Sequence, residues 1–247
     1  MINAEKPWLI QQDKDLAIKS LAKTVYQLVC RKEHSQPGFA LIQQRHVQSS
    51  VEQRQLMCAL KEALSEIYFS DNGEKLDWFN LNRFDQQNST KPHRDGAPEE
   101  SLLILGYEPS IVSCDLSMAD YSKLSIEMGI EPNQFLEDHN PMYQEGKELL
   151  APVTTHLIEF DPHYYQLVVV NNSSAPFNAA NNNWQGVLHC ATVKKLEGAS
   201  RVINSTVVCP ARYLSVEGSP DANKSTKALE REHWFLTSID LQESTYQ

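Results

Sequence analysis

The chain has no run of eighteen apolar residues, so the sequence offers no membrane span. Residues 1–10 show no basic region followed by an apolar stretch, which argues against a signal peptide. No Cys-x-x-Cys pair occurs. The five cysteines (Cys30, Cys58, Cys114, Cys190, Cys209) are odd in number and widely spaced, unlike a zinc module or a disulfide scaffold. Reduced thiols in a cytoplasmic protein are the expectation, and the Asn-x-Ser/Thr matches at Asn88 and Asn204 then carry no glycosylation meaning. Long Gly-, Ser- or Pro-rich linkers and internal repeats are missing, so the 247 residues are expected to form one domain, 1–247. A surplus of cations is missing too. The net charge of −10 counts against affinity built on phosphate contacts, so neither nucleic acid nor membrane is the expected partner. It leaves a small-molecule pocket open, because local charge differs from the total. Nothing in the sequence sets an oligomeric state.

Apolar residues make up 41% of the chain, ample for a core. Residues 15–30 read as a helix, with Leu16, Ile18, Leu21, Val25, Leu28 and Val29 at helical spacing and Pro37-Gly38 as the break. Residues 51–69 read as a second, with Leu56, Leu60, Leu64 and Ile67 on one stripe and Asp71-Asn72-Gly73 at its end. After Gly73 the period changes. Strands are expected at 78–84, 101–107, 111–116, 155–160, 166–171, 186–193 and 201–209, with Glu108-Pro109-Ser110 as a hairpin turn. Leu102 to Leu105 are apolar on both faces, so that strand needs cover on both sides, which the helices of 15–69 are expected to supply. Residues 117–150 interrupt the strands as an insertion with short helices at 118–128 and 132–138. The tail from Ser215 reads as loosely ordered to about Thr226, with a short helix at 228–235. The whole predicts a mainly β fold with flanking helices, a sandwich or barrel.

The chemistry centres on Lys91-Pro92-His93-Arg94-Asp95-Gly96. In an extended strand, residues i and i+2 share a face, so His93 and Asp95 reach one metal ion from one side. A second histidine from another strand completes two His and one carboxylate, the facial set of non-haem Fe(II) oxygenases. Two other readings use the same residues. Pro92 and Gly96 suit a surface turn. His93-Arg94-Asp95 with Ala97-Pro98-Glu99 mimics two protein-kinase signatures, but the position five after the Asp is Glu100 rather than Asn, and no Gly-rich phosphate loop precedes it. His189 is the candidate third ligand, because it opens a strand and Arg201 opens the next one twelve residues later. A sheet curved into a barrel would bring both toward one cavity. His156 and His163 compete without a matching basic residue, and His34, His46, His139 and His233 read as ordinary polar side chains.

The ordered set of helices, a strand holding Asn82, His93-x-Asp95, apolar strands, Gln166-Leu-Val-Val-Val-Asn171, His189 and Arg201 resembles the Fe(II)/2-oxoglutarate-dependent oxygenase superfamily over about 78–210. The resemblance implies a double-stranded β-helix (jelly-roll) core at 78–210, with the helices of 15–69 packed on it and the 117–150 insertion over the active site. It implies Fe(II) on His93, Asp95 and His189, with 2-oxoglutarate as cosubstrate and O2. Arg201 would bind the distal carboxylate, because a guanidinium donates two parallel hydrogen bonds. Ser205 shares that strand face; the family's Arg-x-Ser pattern has Ile203 at its Ser position here. Lys194 or Lys195 is the alternative anchor. Asn82 lies eleven residues before His93, as in the nucleic-acid-demethylase branch, where it contacts the cosubstrate. That branch carries a Tyr where this chain has Phe84, and the acidic charge argues against it. The implied activity is hydroxylation of a small molecule, an amino acid or biosynthetic intermediate, with release of succinate and CO2. A carboxylate at Asp95 leaves no room for chloride, so hydroxylation rather than halogenation is implied, with desaturation or ring closure within range. A peptide or protein side-chain hydroxylase is the alternative substrate class, and a non-catalytic jelly-roll binding module the alternative function. The connection 172–184, with Phe177, Asn178, Asn181, Asn182, Asn183 and Trp184, reads as a substrate-facing loop, together with Arg94 at the mouth.

Overall fold

The computed structural model describes residues 2–3, 6–177, 183–214 and 221–242. In chain order the elements are β1 (Ile2–Asn3), β2 (Lys6–Gln11), α1 (Ile18–Val29), β3 (Phe39–Gln43), α2 (Ser50–Asn72), β4 (Leu76–Asp85), β5 (Leu102–Tyr107) and β6 (Ser113–Ala119). Then follow α3 (Tyr121–Met128), α4 (Pro132–Asp138), α5 (Gln144–Leu150), β7 (Thr154–His156), β8 (Gln166–Asn171), β9 (Leu188–Lys194), β10 (Val202–Pro210) and α6 (Asp221–Thr237). The strands form a seven-stranded mixed sheet, ordered β1-β2-β3-β8-β5-β10-β4, and a three-stranded antiparallel sheet, β7-β6-β9. The fold is therefore sheet with flanking helices. Among the described residues no helix is long and apolar enough to cross a membrane. The five cysteines are free thiols.

Period 2 sorts the large sheet into two buried faces. Leu102 and Ile104 of β5, Leu167 and Val169 of β8, and Val208 of β10 pack with Leu21, Val25, Leu60 and Leu64 of the helices. Leu103 and Leu105, Val168 and Val170, and Ile203 and Val207 pack instead with Cys114, Leu116 and Met118 of β6 and Ala191 of β9. Each such side chain is worth roughly 1.5–3 kcal/mol when fully buried, so β5 and β8 are committed to the centre of the molecule. The cover over the second face is the small sheet, not the N-terminal helices. Glu108-Pro109-Ser110 accordingly joins strands of different sheets and closes no hairpin, since β5 pairs with β8 and β10 while β6 pairs with β7 and β9.

Helix α2 begins where Ser49 Oγ accepts the N–H of Glu52 at 3.1 Å and the Glu52 carboxylate takes the N–H of Gln48 at 2.9 Å. It ends at Gly73, whose φ of 73° is cheap only without a side chain. The expected helix at 118–128 starts at Tyr121, because 117–119 extend β6 and Asp120 caps the helix through the N–H of Lys123. The expected strand at 155–160 is only Thr154–His156, and the C-terminal helix starts at Asp221 rather than near 228. Residues 215–220 of the tail lie outside the described residues.

Between α2 and the large sheet lies a polar layer. The Glu108 carboxylate accepts from Arg83 at 3.2 Å, from Asn204 at 3.0 Å and from Ser50, and it lies 3.9 Å from Arg54. One carboxylate thus serves two buried guanidinium groups. The remaining donors meet the end of α6 and the segment after it: Arg54 bonds the Ser238 carbonyl at 3.1 Å and Arg83 the Ile239 carbonyl at 2.9 Å. Arg54 also reaches the Leu236 carbonyl at 3.5 Å, in the last turn of α6, where the negative end of the helix dipole favours cations. The chain then returns along β4, where Gln242 N–H donates to the Arg83 carbonyl at 2.7 Å. Replacing Glu108 with Ala should lower unfolding free energy by about 3–5 kcal/mol, because it leaves buried charge uncompensated. Glu66→Ala, which breaks the exposed Lys19–Glu66 pair at 3.2 Å, should cost less than about 1 kcal/mol. Urea midpoints of the two variants check this; equal shifts would refute it.

Candidate metal centre

The segment after β4 runs back along β9 without forming a regular strand. Thr90 N–H donates to the Ala191 carbonyl at 2.8 Å, and the Ala191 and Val193 N–H groups donate to the hydroxyls of Thr90 and Ser89 at 3.0 and 2.9 Å. Two side-chain oxygens thus stand in for strand carbonyls. At His93 the pairing becomes a true bridge: His93 N–H donates to the His189 carbonyl and His189 N–H to the His93 carbonyl, both at 3.0 Å. Residues so paired lie directly opposite each other, and the two imidazole centroids are 4.2 Å apart. The expectation of a strand carrying His93 and Asp95 is thereby corrected: a single bridge places His93, and an irregular turn brings Asp95 to it.

Asp95 is held from the end of β8. Asn172 Oδ1 accepts the Asp95 N–H at 2.9 Å, and Asn172 Nδ2 donates to the Asp95 carbonyl at 3.1 Å and to Ser101 Oγ at 3.1 Å. One buried amide grips both sides of one residue, as a neighbouring strand would. Asp95 Oδ1 then lies 3.4 Å from His93 Nε2 and 3.7 Å from His189 Nε2, and one ligand atom from each residue falls within 4.8 Å of the others. Metal–ligand bonds of roughly 2.0–2.2 Å require ligand edges of roughly 3 Å, so small side-chain movements close the set around one ion.

The two imidazoles are held differently. His93 Nδ1 lies 2.7 Å from the Lys91 carbonyl, which orients that nitrogen as the donor and turns Nε2 toward Asp95. Burial pulls the His93 pKa down, but the bond to Asp95 and those to the Lys91 and His189 backbones leave it raised overall. Burial, then the neighbouring His93, pushes His189 down to about 4, so its ring is neutral with a lone pair to give. All three donors come from one side, the side strapped to β9.

A partly open cavity joins the triad to Arg201. Phe84, Leu105, Tyr107, Ala191 and Ile203 make its apolar walls, and Gln86 and Thr90 add polar groups. Arg201 lies just before β10 of the large sheet and His189 on β9 of the small one, so two facing sheets, not adjacent strands of a barrel, bring them to one cavity. The Arg201 guanidinium donates to the Gln86 carbonyl at 2.8 Å and to Cys114 Sγ at 3.1 Å. Among the described residues no carboxylate lies within ion-pair distance of it. Lys194 and Lys195 are exposed.

The other sequence-derived candidates lie elsewhere. Asn82 and Ser205 face each other across β4 and β10, two residues beyond Phe84 and Ile203, and neither lines the cavity. Trp184 packs in the helix-side core with its ring 5.6 Å from Tyr68. The large sheet separates that core from the metal, so the expectation of a substrate-facing Trp184 does not fit its position. Arg94 donates to the carbonyls of Asn172, Ala97 and Pro98, which makes it a brace of the ligand turn. Asn181 lies outside the described residues, as do Asn178 and Asn182. Asn183 is buried. Sequence reasoning missed Asn172 and Cys114. Tyr107 alone had a readable signal, since it shares the face of Leu103 and Leu105.

No family model matches the chain, and no curated protein does. A solved structure described as an "iron and alpha-ketoglutarate-dependent endoperoxidase NvfI with different conformation" is similar over 70% of this chain and 76% of that one, at 12% identity and a TM-score of 0.32. At that level of likeness, function has to be read from the site itself.

Anaerobic Fe(II) titration tests the centre. His189→Ala should abolish stoichiometric binding. Asn172→Ala should weaken it by roughly 10–100-fold, the usual effect of losing a group that orients a ligand. Wild-type affinity in His189→Ala would remove the centre; wild-type affinity in Asn172→Ala would show that Asp95 is held by other contacts.

Proposed function

We propose that the chain is an Fe(II)- and 2-oxoglutarate-dependent oxygenase that hydroxylates a small molecule, with its two facing sheets as a double-stranded β-helix core. The observation that carries this reading is Arg201: a buried guanidinium without a carboxylate partner among the described residues, in the same cavity as two histidines and an aspartate. The triad alone suits zinc as well as iron, since catalytic zinc also takes two His and one carboxylate. A hydrolytic zinc site has no evident need for a buried cation beside it. A cosubstrate with a carboxylate at each end does, because one end chelates and the other must be anchored.

Bound Fe(II) would supply the redox chemistry that couples decarboxylation of 2-oxoglutarate by O2, to succinate and CO2, with oxidation of the substrate. The chain's own residues would do the rest. Arg201 would fix the distal carboxylate, and the walls at Phe84, Leu105 and Ile203 would keep water from that end. Asn172 and Lys91 would hold Asp95 and His93 in orientation.

The substrate side is where the insertion meets the ligand turn. Asn133 of α4 donates to Glu99 at 2.8 Å, Lys91 donates to the Met142 carbonyl, and Phe177 N–H donates to Glu131 at 3.0 Å. These contacts support a role for α3–α5 and the start of the 172–184 connection as walls of the substrate approach. The small-molecule class is supported by the acidic net charge, which counts against nucleic acid.

Binding of 2-oxoglutarate to the Fe(II)-loaded protein under anaerobic conditions, followed by succinate formation in air, tests the reading. Arg201→Ala should lose about 2–5 kcal/mol of 2-oxoglutarate binding, while Lys194→Ala and Lys195→Ala bind as the wild type does. Loss in a lysine variant with retention in Arg201→Ala would move the anchor. No binding by the wild type would end the proposal.

A further inference from the structure

Four arginines are buried among the described residues: Arg31, Arg54, Arg83 and Arg201. Arg31 holds both oxygens of Asp120, one of them at 2.7 Å. Arg54 and Arg83 share Glu108. The Arg201 backbone N–H donates to Asp85 at 2.9 Å, but among the described residues its guanidinium is held only by neutral groups: the Gln86 carbonyl, the Cys114 sulfur, and the Tyr107 ring, whose centroid lies 5.1 Å from the guanidinium carbon. Neutral holders orient a cation without cancelling its charge. A carboxylate in any of those places would cancel it and fill the fork that an incoming carboxylate needs.

Cys114 has the position to matter most. It sits on β6 of the small sheet, with its side chain on the face that meets Leu103 and Val207 across the gap. Its bond to Arg201 therefore spans the two sheets. Burial pushes the thiol pKa up, and the nearby guanidinium lowers it only in part, so the sulfur stays uncharged at neutral pH. Leu116 on the same face offers no acceptor, and the guanidinium meets the Cys114 sulfur, not that of Met118.

We infer that Cys114 is a positioning residue for the carboxylate anchor: its uncharged sulfur fixes one arm of the Arg201 fork across the gap and leaves the full positive charge for a carboxylate-ended ligand. This rests on the oxygenase reading above, and residue 114 then sets whether the cavity accepts an anion at all.

The test uses the full chain with Ser, Ala and Asp at position 114. Equilibrium dialysis of radiolabelled 2-oxoglutarate against the Fe(II)-loaded protein without O2 reads anchor strength. Fe(II) titration and thermal melting serve as controls. Cys114→Ser keeps a neutral acceptor and should bind 2-oxoglutarate within a few-fold of wild type. Cys114→Ala should weaken binding about tenfold, the usual loss for a hydrogen bond to a charged group. Cys114→Asp should abolish it while Fe(II) affinity is unchanged. In turnover, Cys114→Ala should raise the KM for 2-oxoglutarate and leave kcat near wild type. Normal 2-oxoglutarate binding in Cys114→Ala, or in a folded Cys114→Asp, overturns the inference and leaves the oxygenase reading standing. If Cys114→Asp does not fold, the Ala and Ser variants decide. No binding by wild type overturns both.

Discussion

A strand that is apolar on both faces has to be covered twice, and β5 and β8 are such strands. Their outer face takes α1 and α2. Their inner face takes the small sheet, and that second layer is what creates a functional site. Two sheets in contact pack side chain against side chain, but at the start of β9 the small sheet carries a histidine, and an arginine leads into β10 of the large one. The gap there is lined by polar and charged groups and stays partly open. Covering the hydrophobic face and making the cavity are one event in the folding of this chain.

The site is built with little regular structure. His93 depends on one bridge, Asp95 on one amide, and the stretch between β4 and β5 on two hydroxyls that mimic strand carbonyls. Such contacts are short in reach and specific in geometry, so the donors are preorganised although they lie in a turn. Gly106 belongs to the same logic on the other side of the sheet. A Cβ there would stand 2.7 Å from Met57 Sδ and 3.1 Å from Gln53, so its absence lets Gln53 lie flat on β5 and donate to the Tyr107 carbonyl at 3.1 Å. The helix layer thereby steadies a strand end that lines the cavity.

Much of this was legible in the sequence. Gln166–Asn171 reads as a strand because four of its residues, Leu167 to Val170, suit a fully buried ladder and Asn-Asn-Ser-Ser ends it. The two N-terminal helices show in their apolar spacing. The pairing of His93 with His189 was legible as chemistry, from residue types, though not as geometry, because the bridge that joins them is a long-range contact. β2 and β3 were missed: Phe39-Ala-Leu-Ile is too short a run to tell strand from buried loop. Glu108-Pro109-Ser110 was misread because a turn signal says that the chain bends and not whether the flanking strands then pair. Trp184 was misplaced for a related reason. An aromatic beside a strand end packs on whichever face has room, and here the room is beside Tyr68. Asn172 and Cys114 had no local signature, since their roles come from what tertiary structure brings opposite them.

The three side chains of the candidate metal centre all belong to the small sheet or to the turn strapped to it, whereas Arg201 leads into a strand of the large sheet. A molecule that touched both the metal and the guanidinium would therefore be a rivet through the sandwich. Its occupancy would be felt as cohesion between the layers, tightening β9 against β5 and β10 along the same line that the Arg201–Cys114 contact already follows. In such an arrangement a ligand of that kind would also be a removable part of the wall, and the stiffness of the sandwich would report on its supply.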